Sequence, residues 1–271
     1  MHSDQDILAF IHSLADAAGE VALSGFRSSI PVDDKGSRDM PVDDVRRYDP
    51  VTEADRGAER VMRALIEKHL PDHGIVGEEY GIHQRDAEHV WVLDPIDGTR
   101  SFISGVPLWG TLIGLMKAEK PAFGMMAQPY IGERFYGTGR QAWYRGPHGE
   151  GKLSTRKCDR LSDAVLFTTT PALFDATERP FYDAIEREAR LARYGTDCYG
   201  YCMLAAGQAD LVIESGLENY DVVALVPIIE GAGGVITTWT GGPATDGGRI
   251  VASGDPALHE AVLRDLARCP A

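Results

Sequence analysis

Cysteine is scarce in this chain: four residues among 271, at positions 158, 198, 202 and 269. None forms a Cys-x-x-Cys pair, and no histidine stands near them at a zinc-like spacing. The expected state is free, partly buried thiols in a reducing cytoplasm. Positive charge is short as well, with 27 Lys and Arg against 41 Asp and Glu, a net charge of −14. That balance argues against a nucleic-acid partner, which calls for a basic footprint. No run approaches the roughly 18 apolar residues of a membrane span. The polar, acidic N-terminus lacks the plan of a signal peptide. A soluble, cytoplasmic protein is expected.

What is present is a globular composition, 44% hydrophobic and 25% charged, long enough for one large domain or two closely packed halves. Apolar residues recur at helical spacing from Ile7 to Val21, which predicts a first helix from Asp4, its expected cap, to about Gly25. A polar stretch, 28–49, follows as a hairpin or loop; Pro-Val-Asp-Asp occurs in it twice, at 31–34 and 41–44. Thr52 opens a second helix that Pro71 stops. Strands are predicted at 74–77, 90–93, 108–116, 122–128, 134–139 and 141–145. Beyond a boundary near 146–152, strands at 165–169, 209–214, 234–238 and 250–253 alternate with helices at 179–191, 199–207, 222–232 and 256–267. That alternation suggests an α/β half.

One stretch carries the chemistry. Asp94-Pro95-Ile96-Asp97-Gly98-Thr99 follows the apolar run Val90-Trp91-Val92-Leu93. Two carboxylates three residues apart, fixed by a proline and followed by Gly-Thr, suit hard cations, which take oxygen ligands. Taken alone, an Asp-x-x-Asp after a strand is more often a turn or a helix cap. It does not stand alone. Gly77-Glu78-Glu79 lies upstream, Asn219-Tyr220-Asp221 far downstream, and Pro50-Val51-Thr52-Glu53-Ala54-Asp55 before both.

Together these strings resemble the inositol monophosphatase superfamily of magnesium-dependent, lithium-sensitive phosphatases, over about Ile7 to Val262. The resemblance implies a layered αβαβα sandwich of mixed α+β and α/β character. An N-terminal half (1–148) would carry most metal ligands, and a C-terminal half (149–271) Asp221 and the specificity residues. It implies two or three Mg2+ ions, with Asp94 bridging, Glu78 and the Ile96 carbonyl completing one ion's ligands, and Asp97 and Asp221 the other's. Such ions would offset the repulsion between an acidic protein and a phosphate dianion, and serve both the attacking water and the leaving oxygen. Thr99 and Asp55 match the pair that orients and deprotonates the water, with Glu78 beside them. Gly98 and Thr99 would offer backbone N–H groups to phosphate. A homodimer is implied too.

Within the superfamily, Arg100-Ser101-Phe102-Ile103-Ser104-Gly105 and Gly195-Thr196-Asp197-Cys198-Tyr199-Gly200-Tyr201 look like the histidinol-phosphate phosphatase branch. Histidinol phosphate carries an ammonium group and an imidazole, and carboxylates at Asp197 and Glu214 would recognise those donors; Arg100 joins them as a substrate contact. Asp197 has a plainer reading as a helix cap. The substrate expected is L-histidinol phosphate, with inositol 1-phosphate next, then 3′-phosphoadenosine 5′-phosphate and fructose 1,6-bisphosphate; a phosphate-ligand binding protein without turnover is the alternative outside the class. Family members commonly place a lysine near the metals from the loop after the first helix. Lys35, Arg46 and Arg47 are equal candidates here, and Glu79 stays outside the ligand set.

Overall fold

The computed structural model describes residues 3–36 and 45–270. Helix α1 (Asp4–Gly25) leads through a two-stranded ribbon, β1 (Val32–Asp34) against β2 (Pro50–Thr52), into α2 (Glu53–His69). Next come β3 (Gly74–Gly77), β4 (Gly81–His83), β5 (His89–Asp97) and the short α3 (Thr99–Ile103). A meander follows: β6 (Gly110–Lys117), β7 (Lys120–Gln128), β8 (Glu133–Gly137), β9 (Ala142–Gly146) and β10 (Gly149–Lys152). The remainder is β11 (Val165–Thr168), α4 (Arg179–Glu188), β12 (Leu191–Tyr194), α5 (Asp197–Ala205), β13 (Leu211–Leu217), α6 (Asn219–Val222), α7 (Leu225–Gly231), β14 (Val235–Thr238), β15 (Gly248–Ser253) and α8 (Pro256–Leu266).

The strands form an eight-stranded sheet, β10-β9-β8-β7-β6-β5-β3-β4, and a five-stranded one, β12-β11-β13-β15-β14. Three apolar clusters stack the layers. Ile7, Ile11, Leu14 and Ala18 of α1 and Met62 and Ile66 of α2 pack on Trp91, Leu93, Ile113 and Met125 of the large sheet. Its other face meets Cys202, Leu204, Leu225, Ile228 and Ile229 of α5 and α7, which also cover Val212 and Ile250 of the small sheet. Tyr182, Ile185, Leu258 and Val262 of α4 and α8 close the outer face. The result is the expected αβαβα sandwich.

Several boundaries differ for identifiable reasons. Ser3, not Asp4, caps α1: its hydroxyl accepts the Asp6 N–H, and the Asp6 carboxylate accepts the Ser3 N–H at 3.0 Å. By length and composition α1 would also pass as a membrane span, contrary to the expectation above. Its Ile7, Ile11, Leu14, Ala15, Ala18 and Ala22 are instead buried within the protein. The helix expected over 179–191 stops at Glu188, because the Arg190 N–H donates to the Ala164 carbonyl and Leu191–Tyr194 pairs with β11. The helix expected over 222–232 is two helices: in an unbroken one, the Pro227 ring would clash with the Val223 carbonyl. Strand β10 belongs to the large sheet, whose last residue in the chain is Lys152. The second Pro-Val-Asp-Asp and the Arg46 side chain lie outside the described residues. Cys158, Cys198, Cys202 and Cys269 are all free thiols.

Candidate metal centre

Strand β5 carries the centre, and a bulge makes it possible. In a regular strand, residues three apart face opposite sides of the sheet. Asp94 pairs with Leu112 but Asp97 with Gly110, so three steps along β5 answer two along β6. The extra residue re-aims the strand, and both carboxylates reach one cluster. Pro95 suits the irregularity, since it brings no N–H to leave unpaired. Its carbonyl accepts from the buried Thr111 hydroxyl at 2.9 Å, and the Ile96 N–H donates to Asp94 Oδ1 at 3.0 Å.

Asp221 arrives from α6, packed beside β5. Its carboxylate accepts the Glu218 N–H at 2.7 Å, closing a capping box. It therefore serves helix and cluster together. One carboxylate oxygen from each of Asp94, Asp97 and Asp221 lies within 4.8 Å of the others. Glu78 follows β3, and its negative charge acts on Asp94. The turn that aims it is fixed from below: the fully buried Glu59 accepts the N–H groups of Glu79 at 2.7 Å and Tyr80 at 3.2 Å, and is paired with Arg63 at 2.6 Å.

Of the three basic residues put forward, Lys35 reaches the site. Its ammonium lies 2.9 Å from Glu78 Oε1 and 2.8 Å from Glu79 Oε1. Glu79, left out of the expected set, thus belongs to the same charged group. Its carboxyl is pushed up by burial, against the pull of Lys35.

The electrostatics are those of crowded acid. Burial raises the Asp94 carboxyl well above the ordinary carboxylate range, with repulsion from Glu78, Asp97 and Asp221 adding to it. Asp97 is pushed up to about 7, by burial first and then by Asp197. Asp221 is raised well above its ordinary value by burial and by Asp97. Buried, mutually repelling carboxylates with oxygen donors alone fit a hard divalent cation, whose charge reverses the local field.

Asp55 and Thr99 meet beside the cluster. Asp55 is buried at the start of α2; its Oδ2 accepts the Thr52 N–H at 2.8 Å and hydroxyl at 2.5 Å. It closes a capping box as well as facing Thr99. Thr99 Oγ1 is 3.5 Å from Asp55 Oδ1, the outer limit of a hydrogen bond, and donates over 3.0 Å to the Ile96 carbonyl.

The expected substrate residues divide. Gly98 is left-handed (φ 82°), and a Cβ there would come 2.8 Å from Asp197 Oδ2, so only glycine fits. Asp197 is itself left-handed (φ 45°), a conformation aspartate tolerates better than most residues. It does not cap α5, of which it is the first residue; its carboxylate accepts from the Ser101 hydroxyl at 3.0 Å. Glu214 is turned inward, accepting the Thr169 N–H (2.6 Å), the Thr169 hydroxyl (3.0 Å) and the Thr168 hydroxyl (3.2 Å). Burial pushes it up to about 8. Arg100 is engaged elsewhere: one guanidinium nitrogen donates to the carbonyls of Val45 and Tyr48, each at 2.6 Å. Thr169, which gives Glu214 both its N–H and its hydroxyl, carried no signal of its own in the sequence.

The profile of the inositol monophosphatase family matches residues 3–271. The bifunctional phosphatase IMPL2 of Arabidopsis thaliana chloroplasts is 44% identical over 267 residues, 94% of this chain and 73% of that one. A histidinol-phosphatase from Chlorobaculum parvum is 33% identical, covering 90% of each chain. Among solved structures, an inositol monophosphatase from Zymomonas mobilis superposes with a TM-score of 0.84 at 38% identity, over 98% of this chain and 99% of that one. With the carboxylate cluster, these likenesses define a phosphatase. The chain belongs to the inositol monophosphatase family.

Proposed function

We propose that this phosphatase hydrolyses L-histidinol phosphate to L-histidinol and phosphate with Mg2+ as cofactor. The observation that carries the choice of substrate is Asp197, a carboxylate held against Gly98 of the Asp94–Thr99 loop by Ser101. A negative group beside the reacting end suits a substrate whose alcohol portion carries an ammonium and an imidazole. Inositol, which offers only hydroxyls, has less use for it. Glu214 acts here by fixing the end of β11 through Thr168 and Thr169, and Arg100 by holding the 45–48 turn.

Asp94, Asp97, Asp221, Glu78 and the Ile96 carbonyl would hold the ions. Bound Mg2+ supplies charge neutralisation and a more acidic water. The chain's own residues do the remainder. With the Ile96 carbonyl engaged, the Thr99 hydroxyl keeps Asp55 Oδ1 as its acceptor. Its lone pair then receives a hydrogen bond from the water and orients it. Asp55, raised by burial, is suited to take up a proton. The backbone N–H groups of Gly98 and Thr99 receive phosphate oxygens. Lys35 steadies Glu78 against its acidic neighbours. A homodimer and a cytoplasmic location belong to the same proposal, and sedimentation of the purified protein checks the first.

The test is phosphate release from histidinol phosphate and inositol 1-phosphate, side by side, with Mg2+ and with EDTA. Preference for histidinol phosphate that disappears in EDTA supports the proposal. Preference for inositol phosphate, which the likeness to the Zymomonas mobilis enzyme would favour, overturns the substrate and keeps the centre.

A further inference from the structure

We propose that Glu59 is a positioning residue for the metal centre: its carboxylate, held beneath the 78–80 turn, sets Glu78 in place before a cation arrives. The inference rests on reading Glu78 as a metal ligand. Gly77 pairs with Gly81 across β3 and β4, so Glu78, Glu79 and Tyr80 form the loop of a hairpin. Each N–H of that loop has a protein acceptor, which a loop open to water does not need. The Glu78 N–H donates to the Leu93 carbonyl at 3.2 Å, which ties the loop to the residue before Asp94. The Glu79 N–H donates to Glu59 Oε2 over 2.7 Å and the Tyr80 N–H to Glu59 Oε1 over 3.2 Å. Both oxygens of one carboxylate thus set the tilt of the loop.

A buried carboxylate is costly unless it is paired and hydrogen-bonded. Arg63, one helical turn on, donates to Glu59 Oε1 at 2.6 Å and gives another nitrogen to the Gly81 carbonyl, on the far side of the loop. Together the two side chains add no net charge to the acidic centre. Gly77 keeps their space clear, since a Cβ there would overlap the Glu59 carboxylate and crowd the Arg63 guanidinium. Glu59 also lies four residues after Asp55 on α2, on the same buried face. One helix therefore places both the acid that faces Thr99 and the acid that seats Glu78. Groups that orient a metal ligand from outside the coordination sphere commonly change metal affinity by about 10–100-fold when removed.

The experiment is calorimetric titration of Mg2+ into metal-free wild type, Glu59→Gln, Glu78→Gln and the double variant. Glutamine keeps the volume of Glu59 but offers one acceptor oxygen where three donors converge. Glu78→Gln should bind more weakly than wild type; equal binding by those two would sink the ligand reading of Glu78 itself. Given that difference, Glu59→Gln should bind Mg2+ about tenfold more weakly than wild type. In the Glu78→Gln background the same change should cost less than about twofold, because the group it positions is already gone. Wild-type affinity in Glu59→Gln would overturn the proposal, as would equal losses in the two backgrounds, the mark of a general disturbance. The wild-type protein gives an independent reading through amide hydrogen exchange in EDTA. The Glu79 and Tyr80 N–H groups should exchange about a hundredfold more slowly than amides of an open loop, with no Mg2+ present. Open-loop rates would show that the cation, not Glu59, orders the turn, and would overturn the proposal even where a variant fails to fold.

Discussion

Arg100 and Tyr48 are 52 positions apart, yet the guanidinium of one donates to the carbonyl of the other over 2.6 Å, with Val45 sharing the same nitrogen. The 45–47 turn also touches 171–173, in the other half. A side chain expected to meet substrate is thus spent on backbone beside it. Arg100→Ala should raise KM for histidinol phosphate by about tenfold, the worth of one charge-assisted hydrogen bond, with kcat little changed. Steady-state kinetics check this. An equal fall in kcat would point to direct contact with the reacting group.

Asp94→Asn separates function from stability. Removing the central charge should lower kcat/KM at least a thousandfold and abolish Mg2+ binding. It should also raise the melting temperature of the metal-free protein, since Glu78, Asp97 and Asp221 all repel Asp94. Each kcal/mol relieved is worth about 2–4 °C in a chain of this size. Wild-type turnover in this variant would remove Asp94 from the centre.

Asp197→Asn keeps a residue that tolerates the left-handed conformation while removing its charge. Activity on histidinol phosphate should fall more than tenfold, and activity on inositol 1-phosphate should change by less than threefold, on the order of a lost charge-assisted contact. Parallel losses on both substrates would show that Asp197 only supports the Gly98 loop.

The raised carboxyls set a pH dependence whose sign is fixed. Asp97 titrates at about 7 and Glu214 at about 8 in the folded chain. Between about pH 4 and pH 8 the folded state therefore holds protons that the unfolded state has released, and the stability of the metal-free protein falls as pH rises. Mg2+ should flatten the Asp97 share of that slope by taking the proton's place. Glu214→Gln should remove the Glu214 share. Melting temperatures across this range, in EDTA and in Mg2+, check both, and a slope of opposite sign would refute the assignment.

Much of this centre was legible because its parts are local. Asp94 to Thr99 is one unbroken string, and the Thr52–Asp55 capping box spans four residues. What escaped depends on partners remote in sequence. Lys35 is 43 residues from Glu78, and nothing around it sets it apart from Arg47. The inward turn of Glu214 is decided by Thr168 and Thr169, some 45 positions away. Leu191–Tyr194 is a short, largely exposed edge strand without the apolar alternation that would announce one. The bulge leaves only Pro95 as its trace.

The chain passes from one sheet to the other after Lys152, and the cluster straddles that passage: Glu78, Asp94 and Asp97 precede it, Asp221 follows it. Neither stretch holds all four of these carboxylates. On the proposed reading, turnover should therefore depend on how closely the two layers sit.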